Sequence, residues 1–186
     1  DGILTEPLTT LLMQLGMVHR DDPVLTQTAR PFDLPAERDA AAAMTADLFS
    51  ILDRICEVRA FPKGSGLAAP QLGWSRAVAV VRAPGMPDLA LVNPHITEVS
   101  AIEEVRWEGC LSYFDLRGQV TRPSEVTVRW DELDGTPVHR RFSQASSRMV
   151  LHECDHLSGI LYRERLAEGT TLISIDDYPD LQRPWQ

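Results

Sequence analysis

Apolar positions recur along this chain with two different periods. Met44, Leu48, Ile51, Ile55 and Val58 fall at steps of four and three, which puts them on one helical face. Asp33-Leu34-Pro35-Ala36-Glu37 supplies the start, with Asp33 as cap, Pro35 in the first turn and Glu37 at the positive end of the dipole. Phe61-Pro62-Lys63-Gly64 ends the helix. Residues 64–73 are rich in Gly and Pro and predict a loop. Residues 77–81 and 89–92 read as buried strands. Val126, Val128 and Trp130 alternate with polar residues, Asp134-Gly135 marks a turn, and Val138, Arg140 and Phe142 continue beyond it, which predicts a β-hairpin. A second helix is expected from about Ser143 to Leu157, stopped by Gly159. Residues 171–175 predict a strand, and an extended end follows the turn-rich 176–179. Residues 11–18 read as a short helix or an arm packed on the body. Strands run together between helices indicate α+β.

Composition narrows the class. The chain has 186 residues, 44% hydrophobic and 24% charged, which suits one soluble domain over 1–186. Eighteen basic residues against 27 acidic ones give −9, which argues against broad contact with nucleic-acid phosphates. No apolar run reaches the roughly 18 residues of a spanning helix, so no membrane partner is expected. Three cysteines, Cys56, Cys110 and Cys154, do not make a disulfide framework and suit a reducing compartment. The first residue is Asp1, and the early apolar stretch, interrupted by Gln14, is a poor signal-peptide core. A bacterial-type cytoplasmic setting is expected, with a removed organelle targeting peptide as the alternative.

His152-Glu153-Cys154-Asp155-His156 carries the strongest chemistry. Residues four apart share a helical face, so both imidazoles can hold one metal, with Glu153 beside them to take a proton from water. Two unrelated surface histidines are the plain alternative. A catalytic site needs a third ligand. A histidine six positions after the second is absent, since Tyr162 stands there, and Glu164 and Glu168 follow the break at Gly159. Cys110, in Trp107-Glu108-Gly109-Cys110-Leu111-Ser112, is the better candidate, with a small buried core residue as an equal reading. Gly64-Ser65-Gly66-Leu67-Ala68-Ala69-Pro70-Gln71 opens like a dinucleotide fingerprint. A helix precedes it and Pro70 would break the next one, so it reads as a tight loop offering backbone N–H groups and the Gln71 amide. His19, His95 and His139 are isolated, and the tryptophans form no cage pattern.

In this order, the three motifs around Gln71, Cys110 and His152 resemble the signatures of peptide deformylases over about residues 20–165, with 166–186 as an extended tail. The resemblance implies antiparallel or mixed β-sheets around a central metal-binding HExxH helix, with an N-terminal helix packed outside. It implies a monomeric hydrolase removing formyl from the N-terminal formyl-methionine of nascent chains, at the ribosome, and releasing formate. One divalent metal would be held by Cys110, His152 and His156, usually Fe(II), with Ni, Co or Zn as alternatives. Metal-bound water would attack the formyl carbon, with Glu153 as general base and then acid, and Gln71 and the Leu111 N–H would stabilise the oxyanion. The Gly66 backbone would pair with the substrate, Leu111 would border the methionine pocket, and Arg117 would lie near the substrate backbone. Met149, on the face of His152, is a pocket wall or plain core.

The chain departs from the family pattern at Ser65, at Tyr113-Phe114-Asp115, at Leu151 and across residues 57–63. Ser65 and Phe114 are expected near the substrate cleft. Two rival readings follow. One is a hydrolase of other N-acyl substrates. The other is a non-catalytic metal protein, which would need neither Glu153 nor Gln71.

Overall fold

Residues 78–81 are Val-Ala-Val-Val, an unbroken apolar run, because their strand is covered on both faces. The computed structural model describes residues 6–61 and 63–179. The strand is β2 (Val78–Arg82), flanked by β1 (Ser65–Ala68) and β3 (Leu89–Val99). Val78 and Val80 pack with Leu48 and Leu52 of α2 (Arg38–Val58), whereas Val81 packs with Val150, Leu151 and Cys154 of α3 (Gln144–Leu157). The two-residue period of the strand therefore feeds two apolar layers.

The full sheet has five antiparallel strands in the order β1-β2-β3-β6-β7, with β6 (Glu125–Asp131) and β7 (Pro137–Ser143) forming the hairpin about Gly135, whose φ is +87°. A second antiparallel sheet pairs β4 (Glu103–Glu108), β5 (Leu116–Pro123) and the two-residue β8 (Ile173–Ser174). Helix α1 (Glu6–Gln14) lies on the outside, with Leu8 and Leu12 buried against Ile55, Phe114 and Ile175. No helix among the described residues is long and apolar enough to cross a membrane.

The antiparallel sheets with helices, the hairpin and α3 agree with expectation, and α3 stops where Gly159 takes φ +72°. Four details differ. Helix α2 starts at Arg38, because Asp33 and Glu37 close a turn instead. The Asp33 N–H donates to Glu37 Oε2 at 2.7 Å, and Arg76 holds the same carboxylate at 2.9 Å. The buried stripe of α2 runs through Ala41, Leu48, Leu52 and Ile55, leaving Val58 exposed. Part of the expected 64–73 loop is strand β1, followed by a 3₁₀ turn (Ala69–Leu72). Strand β3 continues seven residues past Val92 with mostly exposed side chains. The expected extended end beyond residue 179 lies outside the described residues.

Candidate active site

Three elements carry the site. Helix α3 offers His152, Glu153 and His156, the turn after β4 offers Cys110, and β1 with its following turn offers Gly66 and Gln71. Sγ of Cys110 and one ring nitrogen each from His152 and His156 lie within 4.8 Å of one another. They are the one such group of His, Cys, Asp or Glu among the described residues. Cys110 Sγ is 3.3 Å from His156 Nε2, and the two imidazole rings meet edge to face at 5.0 Å. Burial opposes a charged thiolate, but the neighbouring imidazoles outweigh it and hold the Cys110 thiol well below its usual range. A thiolate and two imidazoles, all drawn in and aimed at one point, suit a divalent transition ion.

His152 is oriented from behind. Its Nδ1 is 3.1 Å from Glu108 Oε2, so the Nδ1 proton donates to the carboxylate and Nε2 keeps its lone pair for the ion. Glu108 is itself gripped. Arg122 donates to both of its oxygens, at 2.6 and 3.0 Å, and Arg148 donates to Oε1 at 2.7 Å. Burial works against the Glu108 charge, but Arg122 and His152 hold its carboxyl well below the usual range. Arg122 reaches on to Asp155 of α3 at 2.8 Å, and Arg165 caps Asp155 from the surface at 2.8 Å. This buried chain of charges links β4, β5 and α3.

Glu153 is buried, and no hydrogen-bond partner among the described residues reaches its Oε2. Burial pushes its carboxyl up from the usual range. Its other oxygen abuts Gly66, where an added Cβ would stand 2.3 Å from Glu153 Oε1. Gly66 is thus small because the carboxylate occupies the side-chain space. Gly66→Ala is expected to change the melting temperature little, since a flexible carboxylate can yield. It should cost about 100-fold in turnover by misplacing the carboxylate. Thermal melts beside activity assays check both.

Gln71 is fully buried. Its Oε1 accepts from the Ala68 N–H at 2.9 Å, and its Nε2 donates to Ser112 Oγ at 3.0 Å, with Cys110 Sγ at 3.6 Å. The amide is locked with its nitrogen beside the thiolate.

A cleft of about 820 Å³ opens from these groups. Its walls include Ser65 and Gly66 of β1, Gly64 just ahead of that strand, β4, and the first turns of α3, with Leu111 and Met149 inside. Strand β1 ends the five-stranded sheet, so one of its edges has no strand beside it. Ser65 and Phe114 line the cleft as expected. Arg117 lies in the wall, donating to the Phe114 and Leu116 carbonyls, and burial brings its pKa down to about 10. Cys154 sits in the core behind α3, its thiol pushed up to about 12 by burial, and takes no part in the cluster.

The sequence reading missed Glu108, Arg122, Asp155 and Ser112 as parts of the site. Glu108 and Ser112 flank Cys110 in its own motif, and Asp155 lies three positions from His152 on α3. Those placements were the available signal, and nothing local marks Arg122.

A family model described as polypeptide deformylase matches residues 15–171. The peptide deformylase of Leptospira biflexa is 33% identical over 156 residues, 78% of this chain and 83% of that protein. A structure of the Acinetobacter baumannii class I type b peptide deformylase with Met-Ala-Ser bound superposes with a TM-score of 0.70 at 34% identity, covering 81% of this chain and 96% of that one. The Thermotoga maritima peptide deformylase superposes at 0.71 with 28% identity, covering 81% and 96%.

Proposed function

This chain belongs to the polypeptide deformylase family, and on that premise we propose how its own residues carry the reaction. The chain is a metal-dependent hydrolase that removes the formyl group from N-terminal formyl-methionine and releases formate. The observation that carries this reading is the meeting of Cys110, His152 and His156 with Glu153 and Gln71 at the head of one cleft.

Cys110, His152 and His156 would hold the ion, which we take to be Fe(II), with Ni, Co and Zn as ions the same donors would accept. The chemistry supplied by a bound divalent ion is polarisation of the formyl oxygen and acidification of water. Glu153 takes one proton from the attacking water as its oxygen bonds to the formyl carbon. The same carboxyl returns that proton to the amine nitrogen as the C–N bond breaks, leaving formate and a free methionine amine. Gln71 Nε2 and the Leu111 N–H face the oxyanion that develops between these steps. Leu111 and Met149 flank the methionine side chain. The open edge of β1 at Gly66 pairs with the peptide backbone, and Arg117 stiffens the wall beside it.

The reading extends to nascent chains at the ribosome as partners, to a monomeric single domain and to a bacterial-type cytoplasmic setting. The Met-Ala-Ser peptide held by the Acinetobacter relative supports a peptide occupant.

The test is formate release from formyl-Met-Ala-Ser by protein prepared without oxygen and loaded with Fe(II) or Ni(II). Rapid release is expected, and none from folded, metal-loaded protein would overturn the reading. Gln71→Ala is expected to fold and bind metal while losing about 100- to 1,000-fold in turnover, the usual cost of one oxyanion donor. A full-rate Gln71→Ala enzyme would remove Gln71 from that role.

A further inference from the structure

We propose that Lys63 and Arg59, beside Phe61 and Phe114, form an anion-recognising subsite at the outer end of the cleft. It would favour formylated chains with an acidic side chain at the third or fourth residue. The inference rests on the deformylase reading above.

The position follows from β1. The reacting end of the cleft is at Gly66, against Glu153. A peptide laid along the β1 edge with its formyl end there advances toward Gly64 and Lys63. Lys63 is three residues before Gly66, in the turn that leads into β1, so it lies at most about 10 Å from it, within the reach of the third or fourth residue. Lys63 and Phe61 both line the cleft.

Charge and packing point the same way. The Arg59 guanidinium lies 4.8 Å above the Phe114 ring centre, and Arg117 stacks on that ring at 5.6 Å. Of the carboxylates in and around the cleft, Asp53 and Asp88 are held by Arg82, Glu104 by Arg106, Glu108 by Arg122 and Arg148, and Asp115 by Arg20, while Glu153 lies buried at the reacting end. Among the described residues, none pairs with Lys63 or Arg59. Lys63 therefore lines the cleft unneutralised, with Arg59 behind it on the Phe114 ring, in a chain whose net charge is −9. Lys63 is also the single lysine among 18 basic residues, so composition alone does not put it there. The residues in question fall in segments 57–63 and 113–115, where the chain departs from the family pattern.

The experiment compares C-terminally amidated formyl-Met-Ala-Asp and formyl-Met-Ala-Ser-Asp with their Lys counterparts, with formyl-Met-Ala-Ser amide as the uncharged reference. Wild type should prefer the acidic peptides about 3- to 10-fold in kcat/KM, carried by KM, as partly exposed ion pairs allow. About 0.5 M salt should flatten the preference. Lys63→Glu should reverse it while leaving the reference within about twofold, and Arg59→Gln should halve it or more. The lone lysine gives a second readout. A reductively ¹³C-methylated Lys63, identified by the loss of its signal in Lys63→Arg, should shift with Met-Ala-Asp amide and not with Met-Ala-Lys amide. Equal handling of acidic and basic peptides, with the reference turned over normally, would overturn the subsite and leave the deformylase reading standing. No turnover of any formyl peptide would strike at that reading. The methylated lysine would then judge the subsite alone, an equal response to both product peptides overturning it.

Discussion

Glu153→Gln is expected to lower kcat/KM by about 100- to 10,000-fold, the range that a positioned general base and acid contributes. The substitution keeps shape and volume but can neither accept nor return a proton. Glu153 has no part in the buried ion pairs, and its Oε2 has no partner among the described residues. Melting temperature and metal content should therefore stay close to wild type. Product-peptide affinity should also hold, because the β1 edge and the Met149 wall are untouched. Formate-release kinetics with metal analysis of the same preparations check this. Near-normal turnover in a metal-replete Glu153→Gln protein would assign the proton transfer to another group.

Glu108→Gln is expected to have a different signature. The amide leaves Arg122 and Arg148 facing a neutral group in a buried place. Breaking a buried charge network from one side costs about 3–5 kcal/mol. For a chain of this size that is a fall in melting temperature of about 6–20 °C. His152 also loses the carboxylate that fixes its ring and tautomer, so metal affinity should drop about 10- to 100-fold. Melts with and without added Ni(II), and competition with a chelator, separate the two losses. Unchanged melting together with unchanged metal affinity would show that Glu108 neither braces β4 against α3 nor orients His152.

The two glutamates also show what a single sequence lets one read. Glu153 was visible because the chemistry is packed into five consecutive helical positions, where spacing alone sets a face. The hairpin and α3 were visible because their apolar positions keep one period from end to end. β4 was not, since its apolar residues Val105 and Trp107 do not point into the core and its buried member is Glu108. β5 was hidden for a related reason, as Arg117 and Arg122 occupy buried positions that an apolar count reads as surface. The burial of Arg122 is made tolerable by Glu108 and Asp155, far away in sequence, and that of Arg117 by the backbone carbonyls of Phe114 and Leu116, and no pattern of apolar positions encodes either. The strand within the glycine-rich segment was missed because Gly64 and Gly66 are small for reasons outside the segment. Gly64 lies against Met149 and the Arg82 backbone, and Gly66 lies against Glu153. The start of α2 shifted because Arg76, thirty-nine residues on, holds Glu37.

An open sheet edge is ordinarily a hazard, since it invites strands of other molecules to continue the ladder. The two ends of the five-stranded sheet meet that hazard differently. β7 begins with Pro137, which has no N–H to offer a further strand, and carries the exposed charged side chains Arg140 and Arg141. β1 has no such charges within Ser65–Ala68. Its protection is architectural, because α3 and β4 stand on either side as banks of a channel. A single extended chain can enter where a neighbouring sheet cannot. The walls that shape the cleft for a peptide thus also guard the protein against fibrous self-association. Substitutions that widen the channel should then show up first as loss of solubility.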